Sequence, residues 1–275
     1  MTGITLSKHH GLGNDFLVAF HPPLPEAELS NLAEVVCARH TGIGADGLLV
    51  GESDAEHSAR MVLYNADGSR AEMSGNGIRC FAQALASRLG RAGELRVLTD
   101  AGPRRVELSA TDDPRTLMVS VEMGEVTDLA APDGWGDLGA DPHRPVAHLS
   151  VGNPHTVVPV DDVSAVDLAA LGARLAHVNL EIIEAGPTAD AITMRVHERG
   201  AGITKACGTG ACAAAYAARR WGLATPRDGK IVVHMDGGSA MVVFDGDDPR
   251  RISLTGPTTF VATVELASVP APSWT

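Results

Sequence analysis

The chain reads Met73-Ser74-Gly75-Asn76-Gly77 in its first half and Ala206-Cys207-Gly208-Thr209-Gly210 in its second half. Each segment places a small side chain with a hydroxyl or thiol group directly before Gly-x-Gly, and a long apolar stretch follows. A glycine turn ahead of such a stretch is typical of the start of a buried helix. The sequence therefore predicts two helices with the same kind of start, over 75–89 and from 208 to about 221.

The start of a helix presents several backbone N–H groups without partners in the helix, together with the positive end of the helix dipole. A carboxylate or phosphate binds readily there. A thiol at that place is expected to have a lowered pKa, because the same field favours the thiolate. Two such starts facing one another would hold a small anionic substrate between two acid/base groups. That arrangement would remove a proton from one face of a carbon atom and return a proton to the other face.

The composition excludes several classes of protein. Of the 275 residues, 44% are hydrophobic and 20% are charged, and the formal net charge of −12 opposes general nucleic-acid binding. No apolar run reaches the ~18 residues that span a bilayer, and no signal peptide is visible, so a cytoplasmic location is expected. The four cysteines have no metal-binding spacing, so no metal is expected, and Cys80 and Cys212 are interpreted as buried structural thiols.

The order of the elements predicts two similar α/β (α+β) units, each a strongly curved, mainly antiparallel sheet or barrel around one central helix. A further helix is predicted over 26–40, and loops are predicted at 112–114 and 133–145. We predict domains at 1–115 and 116–263, and allow for a return of the tail, about 264–275, to the first domain. The predicted strands are 17–20, 47–50, 60–64, 95–99, 116–121, 147–151, 155–159, 191–196, 230–234, 240–244 and 251–254.

A series of short motifs runs in order along nearly the whole chain. The motifs lie at 10–16, 41–47, 65–69, 75–77, 152–155, 178–179, 198–200 and 206–210. Together they resemble the diaminopimelate epimerases, cofactor-independent amino-acid epimerases of lysine and peptidoglycan precursor synthesis. The resemblance implies two pseudo-symmetric domains with the active site in the cleft between them. It also implies a homodimer, a diaminopimelate substrate and no cofactor.

The resemblance also implies roles for single residues. Cys207 would be one of two acid/base groups at the α-carbon of the substrate, and Ser74 stands where the family has the second cysteine. His155 and Glu198 would tune these groups, and Arg199 would bind the distal carboxylate. Taken singly, the serine is also typical of a helix cap, the asparagines of turns and the arginine of a surface ion pair. The remaining residues assigned to substrate binding are Asn14, Asn65, Gly75, Asn76, Asn153, Asn179, Glu198, Gly208 and Thr209.

Ser74 is the departure from the family pattern with the largest consequence. A serine hydroxyl is far less acidic than a thiol and needs an adjacent base to act as one. We therefore expect impaired epimerisation, unequal in the two directions because Cys207 retains its own face. Three explanations remain open: a substitution made to capture a substrate complex, a natural change towards another reaction, or a functional serine in an unusual epimerase. Two further positions differ from the family pattern: Gly47 stands where some members have a Gln, and Ile203 stands where a Glu is common. Neither difference removes an acid/base group.

The function expected from these observations is cofactor-independent epimerisation of LL-2,6-diaminopimelate to meso-diaminopimelate. The mechanistic rival is a pyridoxal-phosphate racemase, which needs a Schiff-base lysine, and the chain has Lys8, Lys205 and Lys230. Two further alternatives stay open. One is a related racemase, isomerase or dehydratase that uses one thiol, and the other is a catalytically silent homologue that binds an amino acid. Neither nucleic acid nor a membrane is expected as a partner.

Overall fold

The chain divides into two compact units. The computed structural model describes residues 3–138, 141 and 143–266. The first unit comprises the residues up to Val121 and those from Pro257 onward, and the second comprises Glu122–Gly256. These boundaries differ from the expected 115/116 and 263/264. Each observed boundary falls within a continuous strand and not in a loop. Part of the predicted 133–145 loop and most of the tail after 263 lie outside the described residues.

The described residues form four α-helices, one 3-10 turn at Trp135–Leu138 and 17 strands. The helices are α1 Glu26–Cys37, α2 Gly75–Leu89, α3 Leu168–Arg174 and α4 Gly208–Trp221. The strands are β1 Ile4–Gly11, β2 Asn14–Phe20, β3 Gly47–Glu52, β4 Ala59–Asn65, β5 Arg70–Ala71, β6 Gly93–Thr99, β7 Gly102–Ala110, β8 Thr116–Glu125, β9 Thr127–Asp128, β10 Ala147–Ser150, β11 Pro154–Pro159, β12 Asn179–Ala185, β13 Ala191–Glu198, β14 Gly202–Thr204, β15 Lys230–Met235, β16 Gly238–Phe244 and β17 Arg251–Leu266.

Eight strands close into a ring in the first unit. Their order is β1-β2-β3-β4-β6-β7-β8-β17, and the last strand pairs again with β1 through its residues after Pro257. The β2–β3 and β4–β6 pairs are parallel, and the β1–β2, β3–β4, β6–β7, β7–β8 and β1–β17 pairs are antiparallel. Helix α1 packs against β3 and β4 through an apolar face that includes Leu29, Leu32 and Val36. The sequence pattern of the first unit therefore produces a closed barrel.

The second unit repeats this arrangement. Its strands follow the order β9-β10-β11-β12-β13-β15-β16-β17, and the Val126 N–H joins the two ends of the row by donating to the Arg250 carbonyl at 2.9 Å. Here β11–β12 and β13–β15 are the parallel pairs. Helix α3, which the sequence did not predict, begins after the cap Asp167 and packs on β12, β13 and β14.

Helices α2 and α4 are the central helices of the two units. Every residue of α2 from Gly75 to Ala86 is buried, and α2 contacts β1, β2, β3, β4 and β7. In α4 every residue from Gly208 to Ala215 is buried, and its partners are β10, β11, β12, β13, β15 and β16. Both helices end at a left-handed glycine, Gly90 or Gly222, which accommodates the reversed backbone without a Cβ clash.

The predicted fold class is confirmed, and both central helices have the predicted bounds. The predicted helix over 26–40 ends earlier, at Cys37. Its last carbonyl groups are taken by the following loop, in which Gly42 N–H donates to Ala38 at 2.8 Å and Ile43 N–H donates to Val36 at 2.9 Å. Among the described residues, no helix combines the length and the apolar character that a membrane crossing requires.

Gly42→Ala is expected to destabilise the first unit. A Cβ at this position would lie 2.2 Å from the Val35 carbonyl oxygen and 2.8 Å from that of Val36, and both are backbone atoms of α1 that cannot rotate away. We expect the free energy of unfolding to fall by about 2 kcal/mol or more. Gly246→Ala is the matched control, because a Cβ there meets no atom within 4 Å. Urea unfolding of the two variants measures the difference, and equal stabilities would contradict the expectation.

Candidate active site

The first candidate group, Ser74, caps the start of α2. Its Oγ accepts a hydrogen bond from the Gly77 N–H at 3.0 Å, and its carbonyl accepts one from the Ile78 N–H at 2.9 Å. The serine thereby satisfies one of the amide groups that the helix leaves open. A Cβ on Gly77 would lie only 3.0 Å from the Ser74 Cβ, so the cap requires a glycine at this position.

The second candidate group, Cys207, caps α4 in the same way. Its Sγ accepts from the Gly210 N–H at 3.4 Å and lies 3.5 Å from Thr209 Oγ1. The residue is 4% exposed. A Cβ on Gly210 would lie 3.2 Å from the Cys207 sulfur. The two helix starts therefore share one local geometry, with oxygen at one cap and sulfur at the other.

Two of the predicted substrate-binding asparagines are joined in the first unit. Asn76 Nδ2 donates to Asn14 Oδ1 at 3.0 Å, and Asn14 Nδ2 donates to Asp46 Oδ2 at 2.7 Å. Arg79 donates to Asn76 Oδ1 at 2.5 Å. Because Asn14 and Asn76 are both buried, these contacts fix the direction in which each amide group points.

Ion pairs in turn hold Asp46. Arg39 Nη2 donates to Asp46 Oδ1 at 2.6 Å and to Asp15 Oδ1 at 2.7 Å, and Lys8 Nζ lies 2.9 Å from Asp15 Oδ2. Burial opposes the ionisation of Asp15, but the hydrogen bonds from Arg39 and Lys8 outweigh it, so the pKa of this carboxyl is lowered. Lys8, one of the three candidate Schiff-base lysines, is thus engaged in a cluster that positions Asn14.

Asn65 makes its contacts in a turn. It lies at the end of β4 opposite Gly47 in β3, and its Nδ2 donates to Ser69 Oγ at 3.0 Å. A Cβ on Gly47 would lie 2.7 Å from the Tyr64 carbonyl oxygen, so the glycine at this position suits the backbone of this chain. The structure therefore places Asn65 on the strand next to Gly47, with its amide group engaged in the turn that follows.

In the second unit, His155 lies between two side-chain oxygen atoms. Its Nδ1 is 2.7 Å from Glu181 Oε1, and its Nε2 is 2.9 Å from Asn153 Oδ1. The side chains of His155 and Glu181 are both fully buried. A carboxylate opposite Nδ1 orients an imidazole ring and selects Nδ1 as a donor. The structure thus brings together the predicted residues His155 and Asn153 and adds Glu181, which the sequence analysis did not identify.

Asn179 joins the ends of two strands. Its Nδ2 donates to the Pro154 carbonyl at 3.1 Å, and its Oδ1 accepts from the Arg199 N–H at 2.9 Å. Asn179 is buried and Arg199 is exposed. Asn179 therefore fixes the backbone that carries Arg199, and the arginine side chain remains accessible.

The Glu198 carboxyl lies among buried polar groups, although the residue as a whole is partly exposed. It is hydrogen-bonded to the Thr204 hydroxyl and to Cys207. Burial raises the pKa of Glu198; the two hydrogen bonds offset part of this effect, and the charge of Glu181 adds to it. Glu198 is thus placed to accept a proton from the thiol.

The pKa of the Cys207 thiol is raised well above its ordinary value. Burial is the largest cause and the charges of Glu198 and Glu181 add to it, whereas Thr209 and the Gly210 N–H act in the opposite direction. The expectation that the helix start lowers this pKa is wrong, because burial and two carboxylates outweigh the hydrogen bonds at the cap. The geometry favours the thiol over the thiolate.

Several other groups lie away from the helix starts. Cys80 and Cys212 are buried as predicted, and burial raises the pKa of Cys80 to about 12. A cavity of about 860 Å³ lies in the first unit along the second half of α2, with Gln83 and Arg88 in its lining, and Ser74 is not part of it. Among the described residues, no group of three or more His, Cys, Asp or Glu side chains is arranged to hold a metal ion.

The residues that support the candidate site residues are not apparent from the sequence motifs alone. Glu181 and Asp46 each hold a predicted residue, and Arg39 and Thr204 hold Asp46 and Glu198 in turn. One signal was available for Glu181, which stands between Leu180 and Ile182 in the part of the sequence that forms β12. A carboxylate inside such a strand is rarely tolerated unless it has a partner.

Comparison with known proteins identifies one family. The family model described as diaminopimelate epimerase matches residues 6–129 and 148–261. A diaminopimelate epimerase of Halothermothrix orenii is 36% identical over 282 residues, which covers 94% of this chain and 96% of that protein. A diaminopimelate epimerase of Magnetococcus marinus is 39% identical over 284 residues, with 96% and 97% covered.

Solved structures share the fold at low sequence identity. A phenazine biosynthesis protein of the PhzF family from Bacillus anthracis is 15% identical with a TM-score of 0.75, covering 98% of this chain and 100% of that chain. A hydroxyproline epimerase from Agrobacterium vitis, with bound trans-4-hydroxy-L-proline, is 15% identical with a TM-score of 0.73, covering 96% and 92%. At this identity the likeness supports the two-unit fold alone.

Glu198→Gln tests the raised pKa of Glu198 through stability. A carboxyl with a higher pKa in the folded state stabilises the fold below its ordinary value of 4.5, and that stabilisation is lost as the pH rises through the folded pKa. Glutamine stays neutral throughout. We therefore expect the variant to gain stability relative to the wild type as the pH rises from about 4.5 through the folded pKa of Glu198, by about 1.4 kcal/mol per unit of pKa shift.

Urea unfolding of both proteins across this pH range makes the measurement. Glu107→Gln, a change at an exposed glutamate of β7, serves as the control and is expected to show a smaller pH dependence. A stability difference for Glu198→Gln that does not change with pH would contradict the raised pKa.

Proposed function

This chain belongs to the diaminopimelate epimerase family, and we propose that it epimerises LL-2,6-diaminopimelate to meso-diaminopimelate without a cofactor, as a step of lysine biosynthesis. The observation that carries the proposal is the repeated helix start, with Ser74 and Cys207 at corresponding caps. Only Cys207 has a carboxylate hydrogen-bonded to it among the described residues. The two positions are thus alike in shape and different in chemistry.

Proton removal on the Cys207 side would proceed through Glu198. The thiol proton passes to the Glu198 carboxylate, and the resulting thiolate takes the α-proton of the substrate. The electron pair of the broken C–H bond then moves towards the α-carboxylate. Backbone N–H groups at the helix start, including those of Gly208 and Thr209, would stabilise the charge that develops there. Gly75 and Asn76 would present equivalent groups in the first unit.

Proton return on the other face would fall to Ser74, which is the weak point of the cycle. The Ser74 hydroxyl has to give up a proton and regain one, and its hydrogen bond among the described residues is to the Gly77 N–H, which is not a base. We therefore propose that epimerisation is impaired and that exchange of the α-proton on the Cys207 face continues. The substrate would be bound through Asn14, Asn65, Asn153 and Asn179, and the assembly would be a cytoplasmic homodimer that binds neither nucleic acid nor a membrane.

The difference between the two caps also favours a second candidate function. A reaction that needs one thiol base, such as an isomerisation or dehydration without inversion, uses Cys207 and Glu198 and does not require an acid/base group at Ser74. The two candidates differ in the response to a thiol at residue 74, because only two-base epimerisation gains from it.

Ser74→Cys is expected to restore rapid epimerisation. A thiol has a reference pKa of about 8.5, so it donates and regains a proton at the α-carbon far more readily than a hydroxyl. Proton NMR of LL- and meso-diaminopimelate in D₂O measures both exchange and inversion. We expect the wild type to be slower than Ser74→Cys by about 100-fold or more, a typical contribution of one acid/base group.

Ser87→Cys, which places a thiol on the exposed side of the same helix, is the control and should behave as the wild type. Exchange without inversion in both the wild type and Ser74→Cys would favour the one-thiol reaction. If neither the wild type nor Ser74→Cys exchanges the α-proton, the diaminopimelate proposal is overturned.

Arg199→Met tests recognition of the distal carboxylate. The arginine side chain is exposed, and its backbone is fixed by Asn179, so a bidentate contact with a carboxylate is available. Loss of that contact should weaken diaminopimelate binding by about tenfold or more, as measured by calorimetry. Arg250→Met removes another exposed arginine of the second unit and should leave the affinity unchanged. Equal affinities for the wild type and Arg199→Met would assign the distal carboxylate to another group.

A further inference from the structure

Glu181 is a fully buried carboxylate that neither the helix starts nor the proposed proton transfer uses. It lies in β12, whose first five residues are all buried, and its side chain has no exposed area. A buried charge of this kind is costly unless it is paired. Its place in the strand therefore needs an explanation from its contacts.

One carboxylate oxygen of Glu181 holds His155. Oε1 lies 2.7 Å from His155 Nδ1, so Nδ1 is the ring nitrogen that donates to the carboxylate. The opposite nitrogen, Nε2, then faces Asn153 at 2.9 Å. Glu181 therefore sets the orientation of the His155 ring, and this orientation determines which ring nitrogen faces Asn153.

The same carboxylate lies against the first turn of α4. A Cβ on Gly210 would come within 2.6 Å of Glu181 Oε1, so the carboxylate is close to the backbone whose N–H caps Cys207. The second oxygen, Oε2, is buried and has no hydrogen-bond partner among the described residues. Its charge is therefore less compensated than that of a carboxylate with both oxygens bonded, and it acts on the groups nearby.

We propose that Glu181 is a positioning residue that orients His155 towards Asn153 and whose charge keeps the Cys207 sulfur protonated until a cationic group of the substrate arrives. The proposal rests on the proposed function, since it concerns the resting form of the same thiol. A thiolate would add a second negative charge beside an incompletely neutralised carboxylate, which is unfavourable at low dielectric. A substrate ammonium group brings the opposite charge and removes this penalty.

The charges that act on Cys207 come from three strands around α4. Glu181 on β12 and Glu198 on β13 both raise the pKa of the thiol, and His155 on β11 acts on Glu198. The histidines of β10 and β15 are engaged elsewhere: His148 Nδ1 is 3.1 Å from Thr156 Oγ1, and His234 Nδ1 is 2.7 Å from Ser239 Oγ. On β13, His197 packs against Gly172 of α3. Strand β16 has no titratable side chain.

The test is the pH profile of Cys207 alkylation in the substrate-free protein. Iodoacetamide reacts with the thiolate, and tandem mass spectrometry distinguishes labelling of Cys207 from labelling of Cys212, which lies in the same tryptic peptide. Glu181→Gln keeps the size of the side chain and removes the charge. We expect its midpoint to lie about 1 unit lower than in the wild type, with about tenfold faster alkylation at pH 7.

Two matched variants separate charge from structure. Glu181→Asp keeps the charge but withdraws it by one methylene group, so a smaller shift in the same direction is expected, and it serves if Glu181→Gln does not fold. Glu184→Gln changes a glutamate on the same strand that accepts the Val163 N–H at 2.7 Å, and it should leave the midpoint unchanged. A purely structural role would lower stability without moving the midpoint.

The proposal is overturned if both Glu181 variants keep the midpoint of the wild type, or if Glu184→Gln moves it equally. A second measurement adds the substrate. Diaminopimelate should promote ionisation of the Cys207 thiol more in the wild type than in Glu181→Gln. The readout is a larger rise in thiolate absorbance when the substrate is added to the wild type. Because the first measurement uses no substrate, its result stands even if the α-proton of diaminopimelate does not exchange, which would refute the proposed function alone.

Discussion

The structure depends on the enclosure of α2 and α4 by strands, which buries the first amide groups of both helices. A buried N–H group without a partner costs about 1–3 kcal/mol, so the protein has to supply acceptors at both helix starts. Ser74 and Cys207 supply them with their own side chains, and Gly77 and Gly210 leave the space that these caps require. The candidate acid/base groups are therefore placed by a requirement of folding, before any requirement of catalysis.

The surroundings of the two caps differ in charge. In the first unit, neutral amide groups of Asn14 and Asn76 lie near the helix start. Asn14 donates to Asp46, and Asp46 is paired with Arg39. In the second unit, two carboxylates act directly on the sulfur of Cys207. An oxygen at the first cap is compatible with its surroundings because a hydroxyl there needs only to accept one hydrogen bond. The same exchange at the second cap would place a hydroxyl beside Glu198, and a hydroxyl is far less acidic than the thiol it would replace.

Local signals made α2 and α4 predictable to the residue, since each begins at a cap before a glycine and ends at a left-handed glycine. Closure of the barrels is not local, because β1 pairs with β17 from the other end of the chain. Helix α3 has seven residues, too few for a periodic pattern to stand out. In the site, the motifs single out residues such as Asn14 and His155 as candidates, but they do not give the direction of the Cys207 pKa shift. It is set by burial and by Glu181, which only the folded chain brings next to α4.

A thiol beside two carboxylates is a poor base until a positive charge arrives. The burial and charges that hold the sulfur protonated also protect it from oxidation and alkylation, because the thiolate is the reactive form. An amino-acid substrate carries an ammonium group on the carbon that loses the proton, so the charge that releases the thiolate arrives with the C–H bond to be broken. No such coupling is needed at Ser74, whose hydroxyl stays neutral over the whole physiological range. In the proposed mechanism, a serine at that cap slows the return of the proton and leaves the substrate-dependent formation of the base at Cys207 intact.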